Sequence, residues 1–314
     1  MTILSDLYRN PKRRGIVKRK LRMLSVGEGR DLAPSGLPPQ VDRCEPTGLA
    51  YRKDATQQGK VDDTTLLGRP DSDTAKREIE ALPFEVPFIA DWIDAVFLHF
   101  EVEPEALAAA IPFELDTHEG KAYFSLVAFT MHGMRPKRGG RATRWLTAPI
   151  ATHRFLNLRT YVKHQGQYGI FFMKEWLNDT LAVKLGPLTF RLPYHQAGIC
   201  YEHDDKTVCG TVAADDKALQ YSADPLDPAT PAEAGSLNAF LLERYTAFTN
   251  AGRRPKFFRV WHEPWKTRTL TNLQLIRDDL IRNDDHPWSA TAKLIGGHFT
   301  RGVEGVWMGR PHFA

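Results

Sequence analysis

The sequence predicts an α+β domain that is mainly antiparallel β-structure with a few short flanking helices. Short runs of alternating apolar and polar residues recur along the chain, separated by turn-forming residues. Helical periodicity is confined to brief stretches. The regularly spaced helical crossovers that a parallel sheet requires are not found.

With 314 residues, 42% of them hydrophobic, the chain can bury a large core as one large or two small domains. Its net charge of +4 is too small by itself to imply a nucleic-acid partner. The three cysteines Cys44, Cys200 and Cys209 are an odd number, so no disulfide framework is expected and a cytoplasmic location fits. No apolar run has signal-peptide length or approaches the roughly 18 residues of a membrane span, so no membrane association is expected.

Residues 1–81 are rich in Gly, Pro, Asp, Thr, Lys and Arg without sustained periodicity, which predicts a disordered basic and polar tail. Arg9, Lys12, Arg13, Arg14, Lys18, Arg19, Lys20 and Arg22 cluster within it. The cluster reads as a solvated tail, as an over-extended start, or as a contact for nucleic acid; the lack of interleaved aromatics argues against the last.

The folded domain is expected over residues 82–314, starting at Leu82-Pro83-Phe84. Trp92 to Val102 alternates as a strand, Pro104 suits a first helical turn, and Glu105 to Ile111 forms a short helix closed by Pro112. Phe113 to Asp116 and Ala122 to Met131 read as a hairpin across Thr117 to Gly120. Arg135 to Thr147, basic and aperiodic, reads as a mobile loop.

Phe155 to Lys163 and Tyr168 to Lys174 form a second hairpin. Asp179 caps a helix that Gly186-Pro187 should end or distort. Tyr194 to Tyr201 and Thr207 to Ala213 read as strands, and Ser236 starts a helix that reaches Tyr245. Phe257 to His262 and Gly297 to Met308 close the chain as strands, with a short helix at about Asn272 to Ile281 between them.

Metal binding was weighed for Cys200, His203 and Cys209, the two cysteines facing each other across a hairpin, and for His99, His132 and His153. Neither set has a recognised ligand spacing. The sequence contains no G-x-G-x-x-G, G-x-x-x-x-G-K-[ST] or G-x-S-x-G motif, so no cofactor and no serine hydrolysis is indicated.

Ala95-Val96-Phe97-Leu98-His99-Phe100 is followed by Pro104-Glu105-Ala106-Leu107, and then in order by Asn157-Leu158-Arg159-Thr160-Tyr161-Val162, Gly169-Ile170-Phe171-Phe172, Leu192-Pro193-Tyr194 and His298-Phe299-Thr300-Arg301-Gly302-Val303. The first two runs resemble the opening of the bacterial DUF2071 (YqjF-like) family and the others its later segments. The match runs from about Pro83 to Pro311.

Through that family the chain is similar to acetoacetate decarboxylase, which implies a cone-shaped β-barrel around an interior cavity. The resemblance places Tyr194 and His195, after Pro193, where the decarboxylase carries its two lysines. Neither residue forms an imine, so Schiff-base decarboxylation is not expected. A looser correspondence puts Ser125 at an acidic position of the decarboxylase. Phe155 stands where family members often have glutamate.

Asn157, Arg159 and Tyr161 alternate on one strand and so share a face, with Arg191, Tyr194 and His195 close in sequence. This polar set suits a small anionic or carbonyl-containing metabolite: an arginine grips a carboxylate, Tyr194 donates a hydrogen bond and His195 titrates near neutrality. Equally, Arg159 is a structural residue tied to an internal carboxylate and Tyr194 a core residue. Lys174 and Glu175 are an alternative nucleophile and acid, although a strand-end lysine is usually a surface charge. Asn157, Arg159, Tyr161 and Arg191 are therefore the expected ligand-binding residues, with His195 and Tyr194 as candidate catalysts. A lysine-independent lyase or hydrolase and a non-catalytic interaction module stand as alternatives, and a homo-oligomer is compatible with both.

Overall fold

The computed structural model of the protein describes residues 69–249 and 255–314. In chain order its elements begin with α1 (Ser72–Glu80), β1 (Phe88–Val102), α2 (Pro104–Ala108), β2 (Glu114–Leu115), β3 (Ala122–Pro136), β4 (His153–His164) and β5 (Gln167–Leu177). Next come α3 (Thr180–Thr189), β6 (Tyr194–Gln196), β7 (Gly198–His203), β8 (Val208–Ala214), β9 (Lys217–Pro225) and β10 (Thr230–Pro231). Then follow α4 (Leu237–Leu242), β11 (Thr246–Thr249), β12 (Lys256–Trp261), β13 (Lys266–Arg277), β14 (Lys293–Met308) and β15 (His312–Phe313).

Strands β12, β11, β5, β4, β3, β1 and β14 are neighbours in that order, and pairing of β12 with β14 closes them into a ring. Where the resemblance implied a cone-shaped barrel, the structure has this ring of seven strands. Strands β13, β9, β8 and β7 continue from β14 as a wing. Apolar residues on alternate positions sort to two sides of the ring. Val96, Leu98, Phe100, Leu126, Leu156 and Leu158 face outward and pack with Val208, Val212, Leu219 and Tyr221 of the wing. Ala95, Phe97, Val127, Phe129 and Phe155 face inward.

The β4–β5 hairpin forms as predicted, with His164 opposite Gln167 across a turn whose Gln165 and Gly166 both have positive φ. That is the two-residue geometry whose twist matches paired strands. Asp179 caps α3 by accepting from the Ala182 amide at 2.8 Å.

Other expectations are corrected. β2 pairs with β4, so Phe113–Asp116 and Ala122–Met131 do not form a hairpin with each other. Asn272 to Arg277 is the end of strand β13, because Gln274 and Leu275 lie opposite Ser222 and Tyr221 of β9 and sheet pairing overrides the helical spacing of the leucines. α3 runs through Gly186-Pro187, and α4 stops at Leu242. Two parallel pairings, β5–β11 and β5–β6, interrupt the antiparallel pattern. Residues 140–146, within the segment read as a loop, form a 3-10 helix.

In the stretch read as tail, Ser72–Glu80 is helical. Asp71 caps it, Ser72, Ala75 and Ile79 are buried, and the Ser72 hydroxyl donates to the His262 carbonyl at 2.9 Å. The basic cluster and Cys44 lie outside the described residues.

Gly302 has φ +114 at the β1–β14 seam, and a Cβ there would overlap the Trp92 carbonyl oxygen. We expect Gly302→Ala to destabilise the protein by about 2 kcal/mol or more. A urea denaturation midpoint equal to that of the parent would contradict this account of the seam.

Candidate functional site

β4 presents His153, Phe155, Asn157, Arg159 and Tyr161 to the ring interior, all of them buried. Two adjoining chambers lie against this face, and Trp92, Phe129, Asn157, Phe172 and Val260 belong to the walls of both. The larger has a volume of about 140 Å³ and is walled mainly by aromatic rings, methionines and aliphatic side chains, with His153, Asn157, Glu175 and Tyr194 as its main polar groups. The smaller, about 30 Å³, meets Arg159, Arg244 and His262.

Asn157, Glu175 and Tyr194 form one row, because Asn157 pairs with Glu175 across β4–β5 and Glu175 pairs with Tyr194 across β5–β6. Glu175 faces inward because of a bulge at Met173: Arg159 is opposite Phe172, but Leu158 is opposite Lys174. The extra residue reverses the alternation. Unbroken alternation from the inward Phe172 would have turned Lys174 into the ring. Instead Lys174 lies over the outward Trp176 ring.

Burial raises the Glu175 carboxyl well above its ordinary 4.5, because desolvation disfavours its charged form. Burial, and then the neighbouring Glu175, push the Tyr194 hydroxyl up as well. Burial lowers His153 to about 4, leaving a neutral imidazole. Asn157 Oδ1, Glu175 Oε2 and His153 Nδ1 are buried without a hydrogen-bond partner. Each is a polar group whose desolvation is uncompensated by the protein itself.

Near the smaller chamber, the C-terminal carbonyls of α4 organise the cations. Arg159 Nη2 donates to Leu241 O at 3.2 Å, Tyr161 Oη donates to the same oxygen at 2.9 Å, and Arg244 Nε donates to Phe240 O at 2.8 Å. Positive charge is favoured at a helix C-terminus. Arg244 also pairs with Asp116 at 2.7 Å, and Asp116 in turn holds Arg69. Arg159 makes no such ion pair among the described residues, and Arg159 Nε and Arg244 Nη2 have no hydrogen-bond partner. Burial pushes both arginines down from their ordinary value, yet guanidinium stays protonated in proteins.

A buried chain of hydrogen bonds holds Tyr161 in place. His298 Nδ1 and His99 Nε2 are 3.0 Å apart, His99 Nδ1 and Ser125 Oγ 2.7 Å, and Ser125 Oγ and Tyr161 Oη 2.6 Å. Tyr161 spends its only proton on Leu241 O, so Ser125 donates to Tyr161 and His99 Nδ1 donates to Ser125. Both imidazoles are kept neutral by burial, so His298 Nδ1 donates to His99 Nε2. The protons are ordered by a single carbonyl at the end of the chain.

Of the sequence-predicted residues, Asn157 and Arg159 border chambers, Tyr194 lines the larger one, and Tyr161 sits beside Arg159. Arg191 and His195 are exposed and line neither chamber. His195 follows Tyr194 on a strand, so one pointing in sends the other out. Sequence reasoning missed Arg244 as a site residue, having placed it on a helix that ends before it. Cys200 is opposite Thr211 and Cys209 opposite Glu202, so the two thiols are not facing partners. Among the described residues no three His, Cys, Asp or Glu side chains gather as a metal site, and no helix is long and apolar enough to cross a membrane.

The profile of the DUF2071 family, described as an uncharacterized conserved protein, matches residues 89–304. The chain belongs to the DUF2071 family. It is 31% identical over 181 residues to the uncharacterized protein YqjF of Bacillus subtilis (strain 168), an alignment covering 55% of this chain and 72% of YqjF. Its fold is similar to acetoacetate decarboxylase from Legionella pneumophila, with TM-score 0.51 and 12% identity over 74% of this chain and 88% of that one. It is also similar to the enduracididine biosynthesis enzyme MppR complexed with pyruvate, with TM-score 0.53 and 13% identity over 72% and 90% of the two chains. At these identities the two structures establish a shared fold alone.

Two outcomes test this description of the DUF2071 site. Ser125→Ala removes the acceptor of His99 and the donor of Tyr161, and should cost about 1–3 kcal/mol in denaturant unfolding; an unchanged midpoint would break the chain as drawn. Glu175 has a folded value above its unfolded one, so it favours folding fully only below about pH 4.5 and progressively less as pH rises towards the folded value. Glu175→Gln should therefore stabilise the protein at pH 8, with the gain vanishing towards pH 4. A gain that does not depend on pH would rule out a buried, protonated Glu175.

Proposed function

We propose that the ring interior of this DUF2071 protein binds a small anionic or carbonyl-containing metabolite and does so without a lysine Schiff base. The observation that carries the reading is Arg159, a buried cation at a cavity with an unsatisfied Nε and no direct ion pair among the described residues, where Glu243 acts on its charge without a salt bridge. A bound anion supplies the missing acceptor by a charge-assisted hydrogen bond. MppR, which shares the fold, is described in complex with pyruvate, a small carboxylate.

No described residue lining either chamber is a lysine, and the bulge at Met173 turns Lys174 away. Acid–base chemistry is the second reading, and Glu175, whose carboxyl burial raises well above 4.5, favours it. With Tyr194 beside it, Glu175 is placed to donate a proton to a carbonyl oxygen. That role passes from His195, which is exposed, to Glu175. An odd number of cysteines, three in the whole sequence, suits a reducing, cytoplasmic setting.

The full-length protein should gain melting temperature with at least one compound in a panel of 2-oxo acids, dicarboxylates and sugar acids, by mass action on the native state. Arg159→Met should abolish that gain. Borohydride added with the stabilising oxo acid should leave the protein mass unchanged. No shift with any anion refutes the anion site, and a mass increase equal to the reduced imine refutes lysine-independent binding.

A further inference from the structure

We propose that the occupant is a monocarboxylate with one ring-sized apolar body, an aryl or branched-chain acid, with its carboxylate between Arg159 and Arg244 and its body in the larger chamber. This rests on the anion-binding reading above and specifies its ligand class.

The sizes of the two chambers divide the ligand. A cavity needs roughly 10–15 Å³ to hold a water-sized atom, so the smaller chamber, about 30 Å³, accommodates the two oxygens of a carboxylate. Arg159 Nε and Arg244 Nη2 are the unsatisfied donors there. The larger chamber, about 140 Å³, matches in size the engineered apolar cavity of about 150 Å³ that takes up benzene. Its wall includes Phe129, Met131, Phe155, Phe190 and Met308, and methionine adapts to irregular apolar shapes.

Charge excludes a second acid group from the body. No described residue lining the larger chamber is arginine or lysine, and Glu175 lies in its wall. A second carboxylate there would lose its hydration without gaining a cation. Asn157, which borders both chambers, and Glu175, in the wall of the larger one, each have an oxygen without a hydrogen-bond partner and so suit one hydrogen-bonding substituent on the body.

Entry follows from the exposed apolar side chains beside the larger chamber. Leu185 of α3 lines the chamber and is 41% exposed, and Leu181 on the same helix is also exposed. Thr147 and Ile150 line it too, directly after the exposed Trp145 and Leu146. An apolar body can therefore enter across an apolar rim.

Calorimetric titration of the full-length protein with acetate, butanoate, hexanoate, phenylacetate, phenylacetamide and succinate tests the assignment. Affinity should rise about fourfold per methylene from acetate to hexanoate, the equivalent of ~0.8 kcal/mol for each buried methylene. Phenylacetate should exceed acetate by about two orders of magnitude, phenylacetamide should bind at least tenfold more weakly than phenylacetate, and succinate should be no tighter than acetate. Ala182→Leu, which adds volume at the chamber wall, should weaken phenylacetate while sparing acetate.

Equal affinities along the acetate-to-hexanoate series overturn the ring-sized body and leave the anion site standing. Phenylacetamide matching phenylacetate overturns the carboxylate head and the anion site together. No binding by any of the six removes both proposals. The ladder decides in the parent protein, whether or not Ala182→Leu folds.

Discussion

The interior of the ring is governed by the buried C-terminus of α4. The last carbonyls of a helix have no intrahelical partner, and in a closed, water-poor ring the side chains around them must supply the hydrogen bonds. Tyr161, Arg159 and Arg244 do so at Leu241 and Phe240. Satisfying carbonyls with guanidinium brings two full charges inside the fold. Asp116 neutralises one of them, and Arg159 is left with spare donor capacity. The structural role of Arg159 and the ligand-binding role proposed for it are thus two uses of one side chain, whose fork donates in several directions.

A second constraint is the single extra residue at Met173. One bulge decides which of two adjacent ionisable residues enters the cavity, because the side-chain period of a strand is two. Glu175 enters and Lys174 leaves. The interior therefore gains a carboxyl where unbroken alternation would have given an amine. On the facing strand β4, Phe155 stacks on Phe129 at 5.1 Å between ring centroids and supplies no carboxyl. The carboxyl of the site comes from β5 instead.

Both constraints leave the interior with buried polar groups that the protein itself does not satisfy. Buried groups without partners, on Asn157, Glu175, His153, Arg159 and Arg244, each lower the stability of the native state. They are gathered around two adjoining chambers. A ligand that satisfies several of them returns part of that free energy on binding, which is how a preorganised polar pocket gains affinity without moving its backbone.

The sequence by itself determined the domain's class and most of its frame. Alternation in Phe155 to Lys163, the Gln165-Gly166 turn and the Asp179 cap are local signals, and each survives in the structure. Alternation also placed Asn157, Arg159 and Tyr161 on one face. Tertiary structure decided what local pattern leaves open: β2 joins β4, β13 is a strand despite its helical spacing, and His195 is turned away from Tyr194. It also decided that Glu175 rather than Lys174 faces the cavity and that Arg244 meets Arg159 there. These outcomes depend on register, on a bulge and on contacts between residues distant in sequence, such as Arg244 with Asp116, which periodicity along one segment does not encode.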